Sequence, residues 1–155
     1  MSRLKLGIIG CGGIANGKHL PSLKAIDRAD IVAFCDLIPE RAEKAAKEYG
    51  VEGAKVYTDY RELLKDESID VVYVLTPNRS HADISIDALH AGKHVMCEKP
   101  MAKCAADARR MVEAAKETGK KLTIGYQHRQ KAESQYVKAC IDRGDLGEIY
   151  YAKAY

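Results

Sequence analysis

Residues 4–15, LKLGIIGCGGIA, decide the fold of this chain. The apolar residues of this stretch predict a buried β-strand, and the run ends in the pattern G-x-G-x-x-A over residues 10–15. In a dinucleotide site, one glycine makes a tight turn, a second lets the backbone approach a pyrophosphate, and the small last residue lets the helix pack on the strand. The helix that follows points its free N–H groups at the phosphates. The same pattern also occurs in plain turns, so a second sequence feature is needed to identify a dinucleotide site.

Asp36 is that second feature. It ends a second apolar run, residues 31–36, and lies 21 residues after Ala15, which is near the spacing of the carboxylate that holds an adenosine ribose. Its charge would repel the extra phosphate of NADP, so we predict NAD as the cofactor and NADP as the alternative. Arg41 is the one cation that could reach this phosphate, or it could lie across the adenine. A helix N-cap role for Asp36, ahead of Pro39, stays open.

Apolar runs rich in β-branched residues alternate with helix-like stretches along the whole chain. The predicted strands are residues 5–10, 31–36, 55–57, 70–76, 94–97, 122–125 and a last one over 148–155. The predicted helices are one after the glycine turn that Pro21 breaks or restarts, then residues 39–50, 60–64, 80–90, 102–118 and 130–142. This alternation predicts an α/β fold of the Rossmann type, a doubly wound parallel sheet in three αβα layers. Ligands of such sheets bind outside the carboxyl ends of the strands.

Two further strand ends carry polar side chains. Residues 76–81, TPNRSH, fit a turn with a serine N-cap, and His81 could equally bond to backbone or take part in chemistry. Glu98, Lys99 and Pro100 follow the fifth strand, where an adjacent acid and base are hard to explain as core, although both could face solvent. If Lys99 lies near a bound nicotinamide, the positive charge of that ring and partial burial would both disfavour its ammonium form. The neutral amine could then accept a proton. Pro100 would hold Lys99 in an extended conformation.

Composition narrows the class of protein. The 155 residues suit one ordinary domain, and the net charge of +3 comes from basic residues spread along the chain, which gives no argument for nucleic acid binding. Five cysteines, an odd number without C-x-x-C spacing, argue against a disulfide framework or a zinc site, so we predict no metal. We expect a cytoplasmic protein with no membrane partner, because the chain has neither a signal-like start nor a long apolar run.

The segments described above resemble the Gfo/Idh/MocA family of oxidoreductases. The resemblance rests on the Asp36 strand end and on five further segments, GIIGCGGIA, VLTPNRSHADI, GKHVMCEKPMA, GYQHR and GDLGEI. It implies an NAD(P)-dependent dehydrogenase that transfers hydride to or from a carbon, usually of a sugar or cyclitol. Two other activities within the family stay open: a dinucleotide-sensing regulator, which would have no need of Lys99, and an NAD-dependent glycosidase.

The resemblance also implies roles for single residues. Together with Arg41, the expected cofactor-binding residues are Gly10, Gly12, Gly13, Ile14, Asp36, Thr76, Pro77, Asn78, His81, Glu98 and Gln127. Glu98 matches the family residue near the nicotinamide ribose. Lys99 matches the catalytic and substrate-binding lysine, and Arg129 falls on the substrate side. The Lys99–Pro100 peptide bond is expected to be cis.

Length is the one departure from the family pattern. Family members are about twice as long, a size that fits a second domain. We therefore expect residues 1–147 to be the dinucleotide-binding domain and residues 148–155 to begin a C-terminal substrate domain that this chain lacks. That domain would complete the pocket for a sugar-like substrate, so the chain alone should bind NAD(H) without meaningful turnover. We expect a homo-oligomer at full length, and an exposed apolar patch near the end of this chain.

Overall fold

A computed structural model describes residues 3–153 in two compact units, one that ends at Gly125 and one that begins at Tyr126. The first unit is built on a six-stranded sheet with the order β3-β2-β1-β4-β5-β6, in which every neighbouring pair is parallel. The strands are β1 Leu4–Ile9, β2 Ala29–Cys35, β3 Lys55–Tyr57, β4 Val71–Val74, β5 His94–Cys97 and β6 Leu122–Ile124. This order is that of a dinucleotide-binding doubly wound sheet, and the predicted fold class is confirmed.

The helices of the first unit connect these strands. They are α1 Leu20–Lys24, α2 Pro39–Tyr49, α3 Tyr60–Leu64, α4 His81–His90 and α5 Ala105–Thr118. Two of them have a clear local origin: Pro39 fits the first turn of α2, where its missing N–H is not needed, and the Asp59 side chain accepts the Arg61 N–H at the start of α3. The helix predicted over residues 102–118 begins three residues later, because Cys104 is still extended.

Both faces of the sheet are covered, and this explains why its strands are apolar almost throughout. On one face, buried residues of the strands pack with those of the first helix and α2: Leu6, Ile8, Ile31 and Phe34 with Leu20, Leu23, Ala42 and Ala45. On the other face, strand residues pack with those of α3, α4 and α5: Ile9, Ala33, Val72 and Val74 with Leu63, Leu89, Met111 and Ala114. The two separate cores give the three-layer arrangement.

The helix after the glycine turn is π-helical over Ala15–His19 and continues as α1. The Leu20 N–H donates to the Ala15 carbonyl, one residue further back than in an α-helix. Both residues are fully buried, so this five-residue spacing places them on the same face. Of the two predicted effects of Pro21, the restart is confirmed, because Pro21 lies at one of the first two positions of α1, directly after the π-helical segment.

The second unit contains a 3₁₀ turn, Gln127–Gln130, and one helix, α6, Ala132–Asp142. The strand predicted over residues 148–155 is wrong for residues 148–153, which form no strand, and its last two residues lie outside the described residues. A strand needs a hydrogen-bonded neighbour, and no described strand pairs with this segment. Its tyrosines are exposed instead, Tyr150 at 96% and Tyr151 at 72%.

Large exposed apolar side chains are frequent in the second unit, as expected near the end of the chain. Besides the two tyrosines they are Tyr126, Tyr136, Val137, Ile141, Leu146 and Ile149. Self-association through them stays a prediction. Within residues 3–153, no helix is long and apolar enough to span a membrane.

Candidate functional site

The register of the sheet brings four strand ends to one edge. Ile9 lies opposite Cys35 on one side and Val74 on the other, and Val74 lies opposite Cys97. The residues that follow these four therefore stand side by side: Gly10, Asp36, Leu75 and Glu98. β2 and β3 lie on one side of β1, whereas β4, β5 and β6 lie on the other, so the strand order reverses between β1 and β4. At such a topological switch point a crevice opens for a ligand.

Gly10 makes the turn at the end of β1. Its φ is +95°, a conformation that side chains with a Cβ rarely adopt, and a Cβ here would lie 2.8 Å from the Leu75 carbonyl carbon and oxygen. Its N–H donates to the Cys35 carbonyl at 2.8 Å. Gly10 is thus required by the protein's own backbone.

Gly12 and Gly13 are different, because nothing in the protein requires them to lack a side chain. Neither has a positive φ, and a Cβ at either position would have no heavy atom within 4 Å. The space above them is open beside a helix N-terminus, which fits a phosphate-bearing ligand. Asn16 holds this loop, since its side-chain amide donates to the carbonyls of Cys11 at 2.7 Å and Gly12 at 2.9 Å.

Asp36 lies half-buried at the end of β2 and binds the glycine loop directly. One carboxylate oxygen accepts the Cys11 N–H at 2.8 Å, and the other accepts the Ile38 N–H at 3.0 Å. Because Ile38, not Asp36, is the N-cap of α2, the N-cap alternative is wrong. Each carboxylate oxygen has two lone pairs, so Asp36 retains the capacity to accept ribose hydroxyls.

An open cleft of about 490 Å³ extends from the glycine loop to α2. Its walls are formed by Cys11, Gly12, Gly13, Asn16, Arg41, Lys44, Glu48 and Tyr49. Arg41 lies in this cleft as the sequence suggested, and Lys44, which the sequence reasoning missed, adds a second cation. Both charges favour an anionic ligand.

His81 lies outside any open space and is only 1% exposed. Its Nδ1 is 2.8 Å from the Pro100 carbonyl oxygen and its Nε2 is 2.7 Å from the Thr76 carbonyl oxygen. The ring therefore ties the end of β4 to the turn after β5. A direct contact with a cofactor stays a prediction for His81, as it does for the exposed Pro77 and Asn78 and for half-buried Thr76.

Glu98 and Lys99 have opposite environments. Glu98 is 6% exposed; its Oε1 lies 2.8 Å from His19 Nε2, and its Oε2 accepts the Lys99 N–H at 2.8 Å. The solvent-facing alternative is therefore wrong for Glu98. Lys99 is exposed, and its partial burial beside a bound nicotinamide ring stays a prediction. The Lys99–Pro100 bond is cis, as expected from the resemblance.

Three buried thiols lie at this edge of the sheet. Burial, and next the charge of Asp36, raise the pKa of Cys11 and of Cys35 to about 12. Burial likewise raises the pKa of Cys97 to about 11. Near neutral pH these side chains are thiols rather than thiolates, so they pack as small apolar groups and supply no nucleophile.

The remaining predicted site residues, Ile14, Gln127 and Arg129, are all exposed. Ile14 is 41% exposed at the start of the first helix. Gln127 and Arg129 belong to the second unit, where both are exposed in the 3₁₀ turn. Their places on the nicotinamide and substrate side stay predictions.

A family model described as "Oxidoreductase family, NAD-binding Rossmann fold" matches residues 4–126. Among curated proteins, the inositol 2-dehydrogenase of Salmonella typhimurium is 40% identical over 147 residues, 94% of this chain and 43% of that protein. The D-glucoside 3-dehydrogenase of Escherichia coli is 37% identical over 99% of this chain and 43% of its own length. The chain thus spans less than half the length of these relatives.

Solved structures agree with the sequence comparison. The WlbA dehydrogenase of Bordetella pertussis, in complex with NADH and UDP-GlcNAcA, has a TM-score of 0.88 and 34% identity over 96% of this chain and 42% of that one. KijD10, a 3-ketoreductase of Actinomadura kijaniata in complex with NADP, has a TM-score of 0.85 and 31% identity over 96% of this chain and 46% of that one.

Proposed function

Because this chain belongs to the Gfo/Idh/MocA family of NAD-binding oxidoreductases, we propose that it is the cofactor half of an enzyme that transfers hydride between NAD and a sugar, cyclitol or related hydroxy compound. One observation carries the proposal. The open space at Gly12 and Gly13 lies beside the Asp36 carboxylate and on the same sheet edge as Glu98 and Lys99. If Asp36 binds the adenosine ribose, the glycine loop the pyrophosphate and Glu98–Lys99 the nicotinamide side, their order along the sheet, β2, β1 and then β5, matches the order of these parts in a dinucleotide.

Each of these groups would bind one part of the cofactor. The N–H groups at the start of the first helix would bind the pyrophosphate over Gly12 and Gly13. Asp36 would accept hydrogen bonds from the hydroxyl groups of the adenosine ribose, and Glu98 would accept them from the hydroxyl groups of the nicotinamide ribose. When bound, NAD supplies the hydride acceptor. Lys99 Nζ would take the proton of the substrate hydroxyl, and Arg129 would bind the substrate.

We propose NAD rather than NADP as the cofactor. The Asp36 carboxylate would repel a 2′-phosphate, and we expect this repulsion to outweigh the attraction of Arg41 and Lys44, because both cations are exposed to solvent and share their cleft with the Glu48 carboxylate. Calorimetric titration of the chain should give about tenfold tighter binding of NAD than of NADP.

Asp36→Asn should abolish most of this preference by lowering the affinity for NAD about tenfold while sparing NADP. Unchanged thermal unfolding of the variant would show that the loop contact to Cys11 survives. Tighter binding of NADP than of NAD by the unchanged protein would contradict the assignment.

We further propose that a substrate domain follows this one in the full-length enzyme, beginning near residue 148, and that this enzyme is a homo-oligomer. The relatives that match the chain over less than half their length support this view. The pocket that selects the substrate would be completed by that domain. Residues 3–153 would then bind NAD(H) without turning over a substrate.

A further inference from the structure

The His19 side chain lies beside Glu98, at the edge of the sheet where the strands end. Neither its position in the sequence nor the local pattern of residues assigns it a role. It is the last residue of the π-helical segment that follows the glycine loop. Its side chain is only 15% exposed, and its Nε2 lies 2.8 Å from Glu98 Oε1. Because a carboxylate only accepts hydrogen bonds, Nε2 carries the hydrogen in this pair.

Two hydrogen bonds hold the Glu98 carboxylate, one on each oxygen. His19 donates to Oε1, and the Lys99 N–H donates to Oε2 at 2.8 Å. Oε1 also lies 3.3 Å from the position that a Cβ on Gly125 would occupy, so a side chain at this position after β6 would crowd the carboxylate. With its side chain 8% exposed, Glu98 has few alternative orientations.

The imidazole of His19 is itself fixed in place. The ring of Tyr73 meets it edge-on, with ring centroids 6.1 Å apart and an angle of 70° between the planes. Tyr73 is in β4, between the strands that carry the glycine turn and Glu98. The histidine therefore connects the helix above the predicted pyrophosphate site to the strand end that carries the predicted chemistry.

Stability alone gives a poor reason for this pair. Burying a charged or strongly polar pair costs desolvation energy, and well-packed apolar side chains often stabilise a fold equally well. A polar link at this site has more value as a means of orienting a functional carboxylate.

We propose that His19 is a positioning residue, which orients the Glu98 carboxylate toward the nicotinamide ribose and, through the Glu98–Lys99 hydrogen bond, fixes the backbone of Lys99. This inference rests on the proposed function. It predicts that His19 matters for the nicotinamide half of the cofactor and not for the adenosine half, which the Asp36 end of the site binds.

The test compares NAD with ADP, which lacks the nicotinamide and its ribose. In calorimetric titrations of this chain, His19→Ala should weaken binding of NAD about tenfold and leave the affinity for ADP unchanged. His19→Gln should recover part of the loss, since its amide can donate to Glu98. Glu98→Gln should weaken binding of NAD similarly, and combining it with His19→Ala should add little further loss, because the two residues act as one unit.

His90→Ala is the matched control, because His90 also faces a glutamate, Glu117 at 3.6 Å, but in an exposed pair at the end of α4. It should bind both ligands like the unchanged protein. Equal weakening of NAD and ADP by His19→Ala with a lower melting temperature, or no change for either ligand, would overturn the inference. If His19→Ala fails to fold, an unaltered affinity of His19→Gln and Glu98→Gln for both ligands would overturn it equally. Failure of the unchanged chain to bind NAD would instead overturn the proposed function.

Discussion

Gly10→Ala is expected to lower the free energy of unfolding by about 3 kcal/mol or more, the largest stability effect that we predict for this chain. Alanine would have to adopt a φ of +95°, and its methyl group would lie 2.8 Å from the Leu75 carbonyl group and 2.9 Å from the Thr76 nitrogen. All these contacts are with backbone, which cannot move aside as the end of a side chain can. Denaturant unfolding followed by circular dichroism measures the loss.

Gly12→Ala is the matched substitution two residues on. A Cβ there meets no protein atom within 4 Å and needs no unusual φ, so stability should stay within about 0.5 kcal/mol of the unchanged protein. The methyl group would occupy the predicted pyrophosphate space, and the affinity for NAD should fall at least about tenfold. A stable Gly10→Ala, or normal binding of NAD by Gly12→Ala, would contradict these separate roles.

Lys99→Ala should reduce turnover of the proposed full-length enzyme by about 10²–10⁴-fold, which is the range for loss of a general acid–base residue. The affinity for NAD should change by less than about twofold, because the exposed Lys99 side chain holds none of the described loop or strand contacts. The measurement is NADH formation from a panel of sugars and cyclitols, with binding of NAD measured in parallel.

Lys47→Ala provides a control for loss of a lysine charge, since this exposed residue lies in the last turn of α2, outside the predicted site. Its turnover should match that of the unchanged enzyme. Undiminished turnover of Lys99→Ala would remove Lys99 from the mechanism. Absence of turnover by the unchanged enzyme across the whole panel would instead favour the regulator alternative.

The features predicted correctly from sequence depend on near neighbours in the chain. The short elements β3 and α3 have the predicted bounds, because turn residues and apolar spacing define them locally. The strand ends at Gly10, Asp36 and Glu98 also follow from local pattern, and parallel pairing then places them at one edge.

The features that were missed depend on distant partners. His19 and Glu98 are 79 positions apart, and no local spacing marks the pair. Lys44 enters the cleft only because α2 lies beside the glycine loop. Asn16 had a usable signal, since an asparagine in the first turn after a glycine loop can bond to loop carbonyls. The predicted strand at 148–155 shows the reverse case, in which β propensity lacks a pairing partner.

In the function that we propose, a dinucleotide lies along one edge of the sheet, with its pyrophosphate on the glycine loop and its nicotinamide half at Glu98. A titration of the isotopically labelled chain with NAD, followed by amide NMR, tests it most directly. We predict saturable shifts at two places at once, the Gly12 and Gly13 amides and the Glu98 and Lys99 amides, and no shift near His90. Saturable binding that leaves either of the two places unperturbed, or no binding by the folded chain, would contradict it.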